Sequence, residues 1–151
     1  MYRAKGWRAG TAESCTGGLV SAALTAVPGS SDVLERGLVT YTNAAKVDLL
    51  DVPTDLFPRV GAVSQEVADA MLRGLLARAP VDAGVAVTGI AGPGGGTAEK
   101  PVGLVYIAAG AQPGAPRVQQ FLFEGDRDTV RRESVRAALE MLRDVADQGD
   151  I

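Results

Sequence analysis

The densest chemistry in the chain lies in Ala12-Glu13-Ser14-Cys15-Thr16-Gly17-Gly18. Here a hydroxyl and a thiol stand side by side where an extended segment runs into a helical one. Such a junction turns free main-chain amides outward and carries partial positive charge, which suits an oxyanion or a phosphate. Gly17 and Gly18 let a ligand approach the main chain closely. Beside those amides, Ser14 has the placement that an acyl-transfer nucleophile requires. The same pattern also describes an ordinary strand-to-helix turn capped by Ser and Thr. Cys15 has a plainer reading too, as a small buried residue.

What could activate such a serine is limited by what the chain lacks. It contains no histidine, which excludes His-assisted catalysis and every His-containing metal site. Its single cysteine excludes thiolate zinc sites and any internal disulfide, and fits a reducing compartment. The remaining activators are lysine, tyrosine, a carboxylate or a carboxylate-bound metal. Tyr41 and Lys46, with Asn43 between them, straddle a strand-to-helix boundary. A lysine held near a serine acts as general base once burial or nearby positive charge brings its pKa toward neutrality. Taken singly, Lys46 reads as a solvated surface lysine and Tyr41 as a half-buried strand residue.

A second glycine-rich stretch, Gly89 to Gly96, follows an apolar strand, and strand ends are where α/β folds hold ligands. It lacks the Gly-Lys-Ser/Thr of a phosphate loop and leads to Lys100-Pro101 instead of a helix, so it meets neither nucleotide signature. A flexible surface loop is its simpler reading. Arg127, Arg131 and Arg132 open the last helix and offer either phosphate donors or a solvated face.

The elements that must position these residues alternate in type. Arg8 to Ser14 is extended, and Leu19 to Val27 is helical, followed by a loop through Asp32. Leu34 to Thr42 reads as a strand, then Asn43 to Leu50 as a helix capped by Asn43. Pro53 and Pro58 mark an irregular segment. Ser64 caps the next helix, in which Val67, Met71 and Leu75 recur at four-residue spacing. Ala83 to Thr88, Val102 to Ala109 and Val118 to Phe123 are strands, the last two as hairpin neighbours. Gly125-Asp126 opens a final helix with an apolar stripe through Val130, Ala138 and Leu142. Residues 146–151 read as a frayed tail. The pattern predicts one three-layer α/β/α domain over 1–151 with a mixed sheet.

Composition agrees with a globular domain. The chain has 151 residues, 46% hydrophobic and 22% charged, enough to bury a substantial core. A net charge of -3 gives no electrostatic reason to expect nucleic acid. No apolar run approaches the roughly 20 residues that cross a bilayer, and the N-terminus lacks the apolar core of a signal peptide. The expectation is a cytoplasmic protein without a membrane partner.

The pieces together resemble one family. The motif at Ala12 to Gly18 and the stretch Gly37-Leu38-Val39-Thr40-Tyr41-Thr42-Asn43-Ala44-Ala45-Lys46 are similar to the C-terminal domain of the CinA competence-damage family. Gly61-Ala62-Val63-Ser64, Thr88-Gly89-Ile90-Ala91-Gly92-Pro93, Lys100-Pro101-Val102-Gly103 and Gly125-Asp126-Arg127 continue the resemblance in order. It implies a nicotinamide-nucleotide amidase, which converts nicotinamide mononucleotide to nicotinate mononucleotide and ammonia. It also implies Ser14 as nucleophile, with Tyr41 and Lys46 in support, a three-layer fold with a mixed sheet, and a homo-oligomer. Neither a metal nor another cofactor is implied. Substrate binding is expected from Cys15, Thr16, Gly17 and Gly18, from Thr40 and Asn43, from Thr88, Gly89, Ala91 and Gly92, and from Arg127 and Arg131. Lys46 would take the Ser14 proton directly or through Tyr41, and amides around Cys15 to Gly18 would hold the oxyanion. The alternative is a non-catalytic nucleotide sensor of the same fold. Two departures stand out: Ala44 occupies a position that is commonly acidic, and Tyr2 to Lys5 reads as the last turn of a longer N-terminal helix.

Overall fold

Three strands leave the core side by side and point the same way, and this sets where the chemistry can be. The computed structural model describes residues 1–148. Strands β1 (Ala9–Glu13), β2 (Leu34–Val39), β3 (Ala83–Gly89), β4 (Leu104–Ala111) and β5 (Arg117–Leu122) form one sheet in the order β2-β1-β3-β4-β5. Central β1 pairs in parallel with both β2 and β3, while β4 and β5 continue the sheet antiparallel. The sheet is mixed, as the alternating pattern predicts, and β4 and β5 are the expected hairpin.

Helices cover both faces. On one face α1 (Tyr2–Lys5), α2 (Leu19–Thr25) and α6 (Arg127–Gln148) enclose Val85, Val87, Val105 and Ile107 with Val20, Val130, Ala138 and Leu142. On the other, α3 (Asn43–Leu50), α4 (Leu56–Val60) and α5 (Gln65–Arg78) bury Leu50, Met71, Leu72 and Leu75 over Ala12, Ala86 and Ala108. The small residues on this second face let α5 sit close to the sheet. Gly74 does the same between helices: a Cβ there would stand 1.8 Å from the Leu50 carbonyl oxygen. Among the described residues no helix is long and apolar enough to cross a membrane.

Several boundaries differ from the sequence expectation for physical reasons. Strand β2 ends at Val39, so Tyr41 lies in the following turn and its side chain is 56% exposed, not half-buried in a strand. Thr42, not Asn43, caps α3, its Oγ1 accepting from the Ala45 amide at 3.0 Å. Both residue types can cap, and only the backbone turn decides between them. The segment marked by Pro53 and Pro58 contains α4, which includes Pro58. Proline is tolerated there because amides in a first helical turn have no partner within the helix. The expected fraying from 146 is overturned for Ala146 to Gln148, which continue α6 with Ala146 fully buried. The rest of that tail lies outside the described residues. Ser64 does cap α5, accepting from Val67 N at 3.3 Å.

Candidate active site

Parallel pairing carries the ends of β1, β2 and β3 to one edge of the sheet. Ser14 N donates to Val87 O at 3.0 Å, and Thr40 N donates to Glu13 O at 2.8 Å. These ladder bonds bring Ser14, Thr40 and Thr88 to the same level on three neighbouring strands. A cavity of about 280 Å³ opens there, close to the lower end of the roughly 300–1,000 Å³ range of small-molecule sites.

Lys46 is 1% exposed, contrary to the surface reading that its residue type favours. The first turn of α3 aims it back toward β1, and its Nζ lies 2.9 Å from Ser14 Oγ. The same nitrogen donates to the main-chain oxygens of Thr40 at 2.9 Å and Tyr41 at 3.3 Å. Burial lowers its pKa from 10.5 to about 8, opposed by the neighbouring Cys15. A neutral amine has two hydrogens and one lone pair. With both hydrogens on the two carbonyls, the lone pair is left facing the Ser14 hydroxyl. Cys15 is buried, and that desolvation pushes its thiol up to about 11 despite Arg131 and Lys46 nearby. Near neutral pH it is a thiol, not a nucleophilic thiolate.

Glu13 sits beneath the nucleophile, 1% exposed. Its carboxylate accepts from Thr16 Oγ1 at 2.7 Å, Val20 N at 2.8 Å, and Ser21 N and Oγ at 3.1 Å each. The Val20 and Ser21 amides in the first turn of α2 are therefore occupied by the protein's own carboxylate. Arg127 reaches the cavity wall from α6, donating to Gly92 O at 2.8 Å and Tyr41 Oη at 3.1 Å.

Residues 1–146 match the model of the CinA C-terminal domain. The chain belongs to the CinA family. A CinA-like protein of Syntrophotalea carbinolica is 53% identical over 132 residues, which are 87% of this chain and 32% of that protein. One from Akkermansia muciniphila is 49% identical over 137 residues, covering 91% of this chain and 33% of its own length. The chain thus spans about a third of the curated relatives it matches. Among solved structures, the competence/damage inducible protein CihA of Agrobacterium tumefaciens superposes with a TM-score of 0.94 at 49% identity. That match covers 96% of this chain and 88% of the other. An Escherichia coli CinA superfamily protein gives 0.89 at 38% identity, over 94% and 82% of the two chains.

Within this CinA domain the cavity gathers Ser14, Cys15, Tyr41, Asn43, Lys46, Thr88, Gly89, Ala91, Gly92 and Arg127. Five expected ligand residues are not on its wall. Thr16 is fully buried, with its hydroxyl on Glu13. Gly17 and Gly18 lie off the wall; Gly17 has φ +58, and a Cβ there would meet Arg131 Nη2 at 3.3 Å. What approaches the glycine is the protein's own guanidinium. Thr40 supplies its carbonyl to Lys46, and its buried Oγ1 has no partner among the described residues. Arg131 is turned onto the Cys15 and Thr16 carbonyls.

The relay through Tyr41 is also displaced, since Lys46 touches Ser14 directly while the phenol faces Arg127. Five further wall residues, Ala62, Val63, Ile90, Gly94 and Gly95, had no assigned role. The Ala62–Val63 turn lies within a motif already noted, Gly61 to Ser64. It is held by Thr88 Oγ1, 2.9 Å from Ala62 O, and by Lys100 Nζ on Val60 O.

Proposed function

We propose that this chain hydrolyses the carboxamide of nicotinamide mononucleotide to nicotinate mononucleotide and ammonia, with Ser14 as nucleophile and Lys46 as general base. The observation that carries this reading is the buried Lys46 amine, 2.9 Å from Ser14 Oγ and held by two carbonyls. A serine without histidine needs such a partner. The pKa near 8 supplies a neutral fraction at physiological pH that an exposed lysine lacks.

Lys46 takes the Ser14 proton as Oγ bonds to the carboxamide carbon. The carbonyl oxygen becomes an oxyanion. Ser14 N, Gly17 N, Val20 N and Ser21 N already have acceptors, whereas the Cys15 and Thr16 amides donate to none among the described residues. Of the two, only Cys15 lies on the cavity wall, Thr16 being fully buried, so the Cys15 amide is the donor we assign to the oxyanion. When the C–N bond breaks, the Lys46 ammonium protonates the departing nitrogen, and ammonia leaves an ester on Ser14. Water then attacks that ester, giving its proton to Lys46. Collapse of the second tetrahedral intermediate returns the proton to Ser14 and frees the carboxylate product.

Arg127 is the substrate-phosphate ligand in this reading. A guanidinium has five N–H donors, and the structure uses two of this one's. Ammonia release from nicotinamide mononucleotide by the intact chain, compared with Ser14→Ala, tests the proposal. Equal release by the two proteins overturns it.

A further inference from the structure

We propose that Lys46 ends each turnover as an ammonium ion-paired with the product carboxylate, so that product binds together with a proton and inhibits the chain more strongly as pH falls. The proposal rests on the reading of Ser14 as nucleophile and Lys46 as its base. It follows from where one remaining proton can go.

Once Ser14 has its proton back, the product beside it is a carboxylic acid, which becomes the carboxylate by giving up its O–H proton. The neutral amine of Lys46 stands 2.9 Å from Ser14 Oγ, the atom the product has just left. A carboxyl group with an ordinary pKa of about 4 is a far stronger acid than the Lys46 ammonium at about 8. The O–H bond therefore breaks, its electron pair stays on the carboxylate oxygen, and the lone pair of Nζ takes the proton. An ammonium has three N–H donors. Two are directed at the Thr40 and Tyr41 carbonyls at 2.9 and 3.3 Å, and the third points toward Ser14 Oγ, where the new carboxylate lies. When product leaves, the ammonium gives its proton to solvent and the base is restored.

No side chain of the protein competes for that ion pair. Among the described residues the cavity wall holds no carboxylate; besides Lys46 its titratable groups are Cys15, Tyr41 and Arg127. Burial pushes the Cys15 thiol up to about 11, and the Tyr41 phenol is turned to Arg127. Glu13 of β1 gives its oxygens to Thr16, Val20 and Ser21 on the opposite face of the sheet. Arg131 of α6 is turned onto the Cys15 and Thr16 carbonyls. On α5, which packs against α3, Asp69 holds Arg73 and Arg78 holds Asp51. Glu66 of α5 and Asp48 of α3 are exposed. The product carboxylate is thus the first anion that Lys46 meets, and an opposite charge within about 4–6 Å favours the ammonium. The substrate carboxamide brings no such charge, so product affinity is linked to this proton and substrate affinity is not.

The test is calorimetric binding of nicotinate mononucleotide and nicotinamide mononucleotide to Ser14→Ala, which turns over neither, between pH 7.5 and 9.5. Buffers of different ionisation enthalpy count the protons taken up. The carboxylate is expected to bind about tenfold more weakly at pH 9.5 than at 7.5, and to take up most of one proton at pH 8.5. The carboxamide, with the same phosphate, should take up almost none. Adding Lys46→Met should abolish both the uptake and the pH dependence. Lys46→Arg, a permanent cation, should bind the carboxylate with neither, and it serves if the methionine variant does not fold. In wild type the same linkage is read as competitive inhibition by nicotinate mononucleotide that weakens as pH rises. Proton uptake that is equal for the two nucleotides, or that persists without Lys46, overturns the proposal. If both nucleotides bind without pH dependence, the ion pair fails while the substrate reading stands. If neither binds, both fail. Carboxylate binding with a proton, in a chain whose wild type releases no ammonia, would keep the ion pair and overturn the reaction.

Discussion

Lys46 Nζ lies 2.9 Å from Ser14 Oγ, although 32 residues separate them in the chain. Two strands make the meeting possible. Ser14 leaves the end of β1, and Lys46 sits in the first turn of the helix that follows β2, the parallel neighbour of β1. Thr42 caps that helix and so sets its starting angle. The chain's central chemistry is therefore a product of strand order.

Activity should rise with pH through the pKa of Lys46. The base must be neutral to accept the serine proton, so kcat/KM is expected to climb through about pH 8 and level off above it. A pH–rate profile checks this. Lys46→Arg, which stays protonated throughout, should lose about 10²- to 10⁴-fold at every pH, the usual worth of a general base. A profile flat from pH 6 to 9 would assign the proton to another group.

The same shift has a consequence for stability. The folded pKa of about 8 lies below the unfolded 10.5, so between those values the unfolded chain binds a proton that the folded one does not. The sign follows from linkage: this group makes folding less favourable below about pH 8, and stability recovers as pH rises toward 10.5. The recovery amounts to about 3 kcal/mol at most. Urea unfolding of wild type and Lys46→Met across pH 7 to 10 isolates it, since other titrating groups cancel in the difference. Parallel pH dependences in the two proteins would mean that Lys46 is not desolvated.

Neighbouring atoms distinguish the nucleophile. Ser14→Ala should cut kcat by several orders of magnitude, whereas Cys15→Ala should keep most activity, because burial holds that thiol protonated. Acyl-enzyme trapping followed by peptide mapping checks the assignment, and an adduct on Cys15 would reverse it.

Arg127 should affect binding more than chemistry. Arg127→Ala is expected to raise KM for the nucleotide by tenfold or more, and to leave kcat/KM for nicotinamide riboside, which has no phosphate for this guanidinium to hold, nearly unchanged. Equal loss on both substrates would place Arg127 away from the phosphate.

Much of this was legible in the residues, and what was not has identifiable causes. Ser14 and Lys46 stand out because an enzyme without histidine has few ways to activate a hydroxyl, but their contact depends on strand order, which spacing does not reveal. The start of α2 reads as an anion site because sequence shows its free amides and not the carboxylate that takes those of Val20 and Ser21. Glu13 is that carboxylate, aimed there by the end of β1. Arg127 and Arg131 carry the same signal, four residues apart on one helix face, and the displacement of about 6 Å along the axis separates their targets. The sequence pattern extends β2 through Tyr41, but the strand ends two residues earlier, so the Tyr41 phenol faces Arg127 while its carbonyl holds Lys46.

The central claim is a metal-independent amidase built on Ser14 and Lys46, and one measurement tests it most directly. The purified chain is incubated with nicotinamide mononucleotide in the presence of EDTA, and ammonia and nicotinate mononucleotide are quantified together, with Ser14→Ala and Lys46→Arg as references. The account predicts equimolar products from wild type, undiminished by the chelator, and background levels from both variants. Release no greater than that of Ser14→Ala, or activity lost in EDTA and restored by a divalent cation, would contradict it.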